Sequence, residues 1–153
     1  MSARDLSEPY PCVGVDDDAR GAARLLVERR LPALLVVDRA GWPYAAVAGP
    51  QLIGPLLPAE ALTDPEYAAG FDDRVLDDAL ERLARLTVAQ WLPRHRVRPP
   101  AVTLEARVTH VAALVARTHT PLVAVVERHG DGRPRLVGAD TAARLSERLV
   151  GGT

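Results

Sequence analysis

The chain of 153 residues contains no lysine, a single cysteine and no long apolar run. Without lysine, it has no Gly-rich phosphate-binding loop of the kind that ends in Lys. Cys12, the lone cysteine, excludes an intramolecular disulfide and any metal site built from several cysteines. Its apolar neighbours predict a strand, in which we expect a buried, inert thiol.

Membrane and nucleic-acid partners find no support either. No apolar stretch approaches the ~20 residues that span a bilayer, and Met1-Ser2-Ala3-Arg4-Asp5 lacks the apolar core of a signal peptide. We therefore expect a cytoplasmic protein with no membrane partner. All 19 basic residues are Arg, which we attribute to a GC-rich coding bias. The net charge is −1 and the one basic cluster, Arg94-His95-Arg96-Val97-Arg98, is short, so we also expect no nucleic-acid partner.

Catalytic and metal-binding patterns are missing as well. None of the four histidines has another His or Cys at the three- or four-residue spacing that places two ligands on one helix face. No serine lies in a Gly-x-Ser-x-Gly nucleophile elbow. We predict no metal site, no catalytic residues and no enzymatic activity.

What the chain does contain is an internal duplication. Residues 11–41 align without a gap on residues 100–130, at a constant offset of 89, with nine identical positions. In both copies a proline, Pro32 or Pro121, opens an apolar run that ends in an acidic residue, and a glycine follows three residues later. A repeat of this length predicts two copies of one structural unit.

Each copy predicts the order strand, helix, strand, strand, helix. Asp16-Asp17-Asp18 suits the N-terminus of the first helix, and Pro32 forbids its continuation. The aliphatic run that follows predicts a strand covered on both faces. The predicted elements of the first copy are 11–15, 19–30, 34–37, 44–47 and 50–57. Those of the second are 101–104, 107–118, 122–126, 135–138 and 141–150, with a turn at 129–132.

The residues between the copies are too many and too periodic for a plain loop. Asp72 or Asp73 can cap a helix, and Thr87 can cap a shorter one that ends at Trp91-Leu92. The apolar face of the longer helix would comprise Val75, Leu76, Ala79, Leu80 and Leu83. We therefore predict a first unit over 9–58, a helical connector over 59–98 and a second unit over 99–150.

Two β-α-β-β-α units, each with a proline before its central apolar run, resemble a tandem pair of cystathionine-β-synthase (CBS) domains, or Bateman module. The segment 87–93 is similar to the short lead-in helix that precedes a CBS unit. The resemblance implies an α+β fold whose two units pack with pseudo-twofold symmetry, and modules that pair into homodimers. It also implies clefts between the units that hold adenosyl ligands, and a regulatory role without catalysis.

The nucleotide motif of that family is a Gly, two apolar residues, Thr or Ser, two variable residues and an Asp. Its hydroxyl and helix N-terminus suit a phosphate, and its carboxylate suits a ribose diol. In the second copy Gly138 and Thr141 match, but Asp140 replaces an apolar residue and Arg144 replaces the Asp. In the first copy the segment 45–51 has no counterpart of the Gly, the hydroxyl or the Asp, and Gln51 is its only polar side chain.

From this comparison we expect one richer cleft, in the second unit, where hydroxyls and a cation would meet a phosphorylated ligand. The expected ligand-binding residues are Thr103, Thr120, Pro121, Gly138, Thr141 and Arg144, with Gln51 in the first cleft. The alternative is that Thr141 is only a helix cap and Arg144 only a solvated residue.

The resulting functional hypothesis is a non-catalytic regulatory module. It would sense an adenosyl or other nucleotide-like molecule such as AMP, ADP or ATP, need no cofactor, and change its dimer or partner contacts in response. The alternative is a scaffold protein with degenerate, empty clefts and an unidentified protein partner.

Overall fold

The computed structural model describes residues 1–96, 98–128, 130, 132 and 134–151. They form a mixed α+β structure with two three-stranded sheets, which confirms the predicted fold class. The strands are β1 (Cys12–Gly14), β2 (Ala33–Val37), β3 (Pro43–Ala48), β4 (Ala101–Val102), β5 (Leu122–Arg128) and β6 (Pro134–Thr141). Parts of the predicted turn at 129–132, namely His129 and Asp131, lie outside the described residues, as does Val97 of the basic cluster.

The two sheets are copies of each other. In each, the first strand runs parallel to the second, and the second runs antiparallel to the third. A register irregularity falls at the same place, between Val36 and Val37 in one sheet and between Val125 and Val126 in the other. Leu34 pairs with Val47 where Val123 pairs with Asp140, so the third strands match at an offset of 93 instead of 89. The second copy therefore has the longer hairpin.

Helices follow the strands and fill the connector. They are α1 (Ala3–Leu6), α2 (Ala19–Glu28), α3 (Gly49–Ile53), α4 (Ala59–Thr63), α5 (Pro65–Ala68), α6 (Arg74–Leu83), α7 (Val88–Trp91), α8 (Val108–Thr118) and α9 (Ala142–Gly151), with a 3-10 turn over Gly54–Leu56. Asp18 caps α2 by accepting from the Gly21 amide at 2.9 Å, as predicted. No helix in the described part of the chain is long and apolar enough to cross a bilayer.

Each of the two short lead-in helices, α1 and α7, packs against the unit that it does not precede. The amides of Val88 and Ala89 in α7 donate to the carbonyls of Asp17 and Val15, in the first unit. Those of Ala3 and Arg4 in α1 donate to the carbonyls of Ala106 and Leu104, in the second unit. Each helix thus packs against the unit opposite to the one it precedes. The sequence analysis did not predict α1, although Ser2 and Asp5 repeat the capping pair Thr87 and Gln90.

The sheets pack against each other through small and branched side chains. Ala33 and Leu35 of β2 meet Leu122 of β5 and Ala139 of β6, and all four are fully buried. Each unit also has its own core between sheet and helices, around Leu34 and Val36 in the first and around Val123 and Val125 in the second. Corresponding positions thus build corresponding layers, as the predicted pseudo-twofold packing requires.

In the connector, one of the two predicted capping residues acts as predicted, and the predicted apolar face is only partly buried. Asp72, not Asp73, has the side chain that accepts from a first-turn amide, that of Arg74 at 3.0 Å. The predicted apolar face of α6 is only half covered, because Ala79 and Leu83 are buried while Leu76 and Leu80 are exposed. The proposed domain boundaries 9–58, 59–98 and 99–150 stay a prediction, and α1 lies outside the first of them.

Candidate functional site

Two clefts lie where the units meet, and equivalent segments of the two copies line them. The Gln51 cleft is lined by Ala46, Val47, Ala48, Gln51, Pro93, His95, Arg96, Thr118, His119, Thr120 and Pro121. The Thr141 cleft is lined by Glu8, Pro9, Tyr10, Pro11, Arg29, Arg30, Leu31, Pro32, Thr141 and Ala143. The segment 118–121 in one cleft is the repeat of 29–32 in the other. Each cleft combines the end of one unit's third strand with the helix–strand junction of the opposite unit.

The Gln51 cleft is small and polar, with a volume of about 210 Å³. The hydroxyls of Thr118 and Thr120 lie 2.9 Å apart and bond to each other. The Gln51 side chain accepts from the Ala48 amide at 3.3 Å, so its oxygen is used within the fold. Arg96 lies over the Tyr44 ring at 4.6 Å and also contacts the Tyr44 hydroxyl. Most polar groups of this cleft therefore already have partners.

The Thr141 cleft is larger, at about 490 Å³, and falls in the ~300–1,000 Å³ range of small-molecule pockets. Arg29 and Arg30 supply two exposed guanidinium groups at the end of α2. Arg30 adopts a left-handed backbone with φ of 50°, as does its counterpart His119 with φ of 55°. The Tyr10 hydroxyl donates to the Ala33 carbonyl at 2.6 Å, and burial raises its pKa. Cation, aromatic ring and hydroxyl thus line one cavity.

Thr141 and Arg144 have structural partners. The Thr141 hydroxyl oxygen accepts from the Arg144 amide at 3.1 Å, so Thr141 does cap α9. The guanidinium of Arg144 lies 3.7 Å from the Glu8 carboxylate and 3.8 Å from that of Glu147. Its positive charge is therefore largely balanced within the protein.

Asp140 is the most unusual group nearby. Its side chain is 1% exposed, and neither carboxylate oxygen has a hydrogen-bond partner among the described residues. Burial alone raises its pKa to about 6. Asp140 pairs with Val123 of the second unit's core, and Val47 occupies the equivalent place in the first unit. The second copy thus has a carboxyl group where the first copy has an isopropyl group.

The structure does not bring the expected site residues together, which corrects the prediction of one common cleft. Thr120 and Pro121 line the Gln51 cleft, and Thr141 lines the other. Thr103 lies in a third cavity with Arg4 and Arg128, at the far end of the sheet. These hydroxyls cannot all reach one small ligand.

Gly138 lies in neither cleft, because the N-terminal segment covers it. A Cβ at this position would come within 2.7 Å of the Ser7 hydroxyl and closer still to the Glu8 carbonyl. Glu8 and Ala139 form an antiparallel bridge there, with hydrogen bonds of 3.0 and 3.1 Å. The observed role of Gly138 is to leave room for this bridge, whatever its match to a nucleotide motif.

Sequence reasoning missed the four residues that line the Thr141 cleft with polar side chains besides Thr141. Glu8 and Tyr10 follow helix α1 as Pro93 and His95 of the Gln51 cleft follow helix α7, at an offset of 85. Arg29 and Arg30 occupy the positions equivalent to Thr118 and His119 at the known offset of 89. The duplication is the signal that points to them, because Leu31 and Pro32 are the repeat positions of Thr120 and Pro121 and the two arginines directly precede them. No group of three or more metal-ligating side chains converges within the described ranges.

Cys12 is exposed and not buried as expected, since it begins the short edge strand β1. Its pKa is raised, first by partial burial of the sulfur and then by the Asp17 carboxylate. We predict that the native protein reacts with a thiol reagent at pH 7.5 several-fold more slowly than the unfolded chain. Reaction with iodoacetamide, followed by mass spectrometry, measures both rates. A native rate equal to the unfolded rate would show that the environment does not suppress the thiolate.

No protein-family model matches the chain, and no curated protein matches it. Among solved structures, it is similar to a CBS domain-containing protein of unknown function from Kribbella flavida, with 39% identity over 98% of this chain and 99% of that one, and a TM-score of 0.85. It is also similar to CBSX2 in complex with AMP, with 18% identity over 99% and 97% of the two chains and a TM-score of 0.65. The CBS domain pair of MJ0100, in complex with 5′-methylthioadenosine and S-adenosyl-L-methionine, has 21% identity over 99% and 97% and a TM-score of 0.61.

Proposed function

Since the chain belongs to the tandem CBS-domain proteins, we propose that it is a non-catalytic regulatory module that binds an adenosyl or other nucleotide-like ligand in the Thr141 cleft. The observation that carries the proposal is the cavity itself, in which a carboxylate, two arginines, an aromatic ring and a hydroxyl converge between the units. The AMP complex of CBSX2 and the adenosyl complexes of the MJ0100 pair support the ligand class.

Glu8 supplies the carboxylate that the second copy lacks at residue 144. Its backbone is fixed by the bridge to Ala139, and its side chain lies 3.7 Å from the Arg144 guanidinium. A carboxylate in this place can accept hydrogen bonds from both hydroxyls of a ribose. The acidic group thus comes from the N-terminal segment instead of from α9.

The phosphate would be bound by Arg29 and Arg30, at the opposite wall of the cleft. Both guanidinium groups are exposed, whereas that of Arg144 has two carboxylate neighbours. Arginine binds phosphate through parallel charge-assisted hydrogen bonds. The proposal therefore assigns phosphate recognition to the first unit and leaves Arg144 to hold Glu8 in place.

Paired titrations with adenosine and AMP separate these two assignments. We expect Glu8→Gln to weaken both ligands about tenfold, since a charge-assisted contact contributes about 1.5 kcal/mol. Arg30→Asn should weaken AMP about tenfold and leave adenosine unchanged, and asparagine tolerates the left-handed backbone at this position. Isothermal calorimetry of the full chain measures both constants.

Two substitutions elsewhere in the chain serve as matched controls. His119→Asn repeats the Arg30 change at the twin position in the Gln51 cleft, and Glu147→Gln removes the other acidic neighbour of Arg144. Neither should alter AMP binding by more than about twofold. Equal loss of AMP affinity in His119→Asn and Arg30→Asn would refute the assignment of the cleft. Absence of any thermal shift with AMP, ADP, ATP or S-adenosylmethionine would favour the scaffold alternative, which the small Gln51 cleft already supports for the first copy.

Regulation requires that the ligand bind two arrangements of the module with different affinity. We propose a cytoplasmic homodimer whose pairing, or contact with a protein partner, changes when the Thr141 cleft is filled. The cleft spans both units, so a ligand that bridges Arg30 and Glu8 would alter their relative position. No reaction step is part of this role, and turnover of AMP or ATP by the pure protein would contradict it.

A further inference from the structure

The first part of the connector, residues 59–81, concentrates negative charge, and five arginines follow within residues 82–98. Between Ala59 and Glu81 lie eight carboxylates and a single arginine, a net charge of −7 in a chain whose net charge is −1. The remainder of the molecule is therefore net positive. Such a separation is not needed to keep the protein soluble, and it creates one strongly acidic surface.

Helix α6 presents an apolar pair within this acidic surface. Leu76 and Leu80 are 57% and 61% exposed, one turn apart. Asp73 and Asp77 occupy the same helical face, because the positions 73, 76, 77 and 80 follow the spacing i, i+3, i+4, i+7. We call these four residues the connector stripe.

The fold holds the stripe outward. Leu83, on the same face at i+3 from Leu80 and i+7 from Leu76, is buried in the core of the first unit, and the Arg82 guanidinium donates to the Leu56 carbonyl. These two contacts fix the rotation of α6 and leave Leu76 and Leu80 exposed nearer its N-terminal end. The helix therefore cannot simply rotate to bury its leucines. Other large apolar side chains of the same region, Ile53, Leu62 and Tyr67, are also more than half exposed. Apolar surface grouped in this way marks an interaction site.

We propose that the connector stripe docks a cationic amphipathic helix of a partner protein. Apolar side chains one turn apart on that helix would cover Leu76 and Leu80, and its Lys or Arg residues would face Asp73 and Asp77. Helix-in-groove recognition uses anchors at this spacing, and opposite charges at the rim set the register. The charge of residues 59–81 favours a basic partner and repels an acidic one.

A second copy of the chain fits the stripe less well. Its basic helix α2 carries Arg20 and Arg24 but offers one well-exposed apolar anchor, Val27, and the exposed pair of α9, Leu149 and Val150, is adjacent in sequence and not one turn apart. Residues 59–81 are acidic in both copies, so two such segments placed face to face would repel each other. Self-association is thus an outcome to be tested and not the expected one.

The test uses a labelled synthetic peptide of about 18 residues in which Leu recurs at helical spacing and Lys fills the other positions. Fluorescence anisotropy with the full chain, at about 50 mM and about 300 mM salt, measures affinity and screening. Leu76→Asp combined with Leu80→Asp should weaken binding at least tenfold although it adds negative charge. Asp73→Lys combined with Asp77→Lys should weaken it as much and reduce its salt dependence.

The matched control is Leu149→Asp with Val150→Asp, another exposed apolar pair, on α9. It should bind the peptide as the unchanged protein does. Equal affinity for a peptide with Glu in place of Lys, retention of binding by the Leu76/Leu80 variant, or no binding at all would overturn the proposal. So would a dimer, seen by sedimentation, that the Leu76/Leu80 variant alone abolishes, since the occupant would then be a second copy. AMP binding by these variants should be unchanged, which keeps this test independent of the ligand proposal.

Discussion

Replacing Asp140 with valine is expected to increase the free energy of unfolding at pH 7.5 by about 3 kcal/mol. The pKa of Asp140 is raised from 3.8 to about 6, and each unit of such a shift corresponds to about 1.4 kcal/mol. Val47 already occupies the equivalent position in the first unit, 2% exposed, so the surrounding architecture accepts a valine there. The substitution should remove a charge that has no hydrogen-bond partner and add apolar contact.

The gain should depend on pH in a defined direction. Because the folded state binds the Asp140 proton more tightly than the unfolded state, the unchanged protein loses stability as the pH rises from 3.8 through about 6. Below that range the carboxyl group is protonated in both states, and this part of the difference vanishes. Above it the difference between Asp140→Val and the unchanged protein should be constant.

Urea unfolding at several pH values between about 4 and 8 measures the effect. Asp140→Asn should remove the pH dependence with less gain, because the amide is still a buried polar group. Asp77→Val, at an exposed carboxylate, is the matched control and should change stability by less than about 0.5 kcal/mol. A gain that does not vary with pH, or no gain at all, would contradict a pKa of Asp140 raised by burial without a partner.

A second large effect is expected at Gly138. Gly138→Ala should lower the free energy of unfolding by about 2–3 kcal/mol, because the added methyl group meets the backbone of Glu8. Relief requires the N-terminal segment to move, which breaks both hydrogen bonds between Glu8 and Ala139. Cleavage by a protease near Ser7 should become faster at the same time.

Gly49→Ala is the matched control. A Cβ at Gly49 meets no atom within 4 Å, and the residue lies in a helix, so this change should be neutral or slightly stabilising. Thermal unfolding and limited proteolysis of the two variants decide the question. If Gly138→Ala and Gly49→Ala unfold at similar temperatures and are cleaved at similar rates, the N-terminal segment does not pack closely against position 138.

The fold could be predicted from the sequence because the residues that begin and end its strands, namely proline, an acidic residue and glycine, recur at a fixed offset of 89. Pro32 and Pro121 both open central strands, and the acidic and glycine positions that follow confirm the register. The site was less accessible. A cleft between units draws its residues from separate segments, and Glu8 and Arg30 have no local pattern that marks them. Only the packing of the two sheets brings them to one cavity.

Exposure was also hard to predict. The spacing of Leu76 and Leu80 is that of buried helix residues, and nothing local distinguishes them from Ala79 and Leu83. All four share one face of α6, and the difference arises from how far the first unit extends along it: the unit covers Leu83 and leaves Leu76 and Leu80 exposed. Cys12 illustrates the same limit: its apolar neighbours in sequence predict a buried strand, but the strand lies at the edge of the sheet and the thiol is exposed.

The exchange of lead-in helices has a consequence for how the molecule unfolds. Ala3 completes the core of residues that begin about a hundred positions later, and Val88 completes the core of residues that precede it. Neither half can therefore be severed from the other without opening its own interior. Loss of one half exposes apolar surface in both, so the duplicated chain melts as one cooperative body and not as two independent ones.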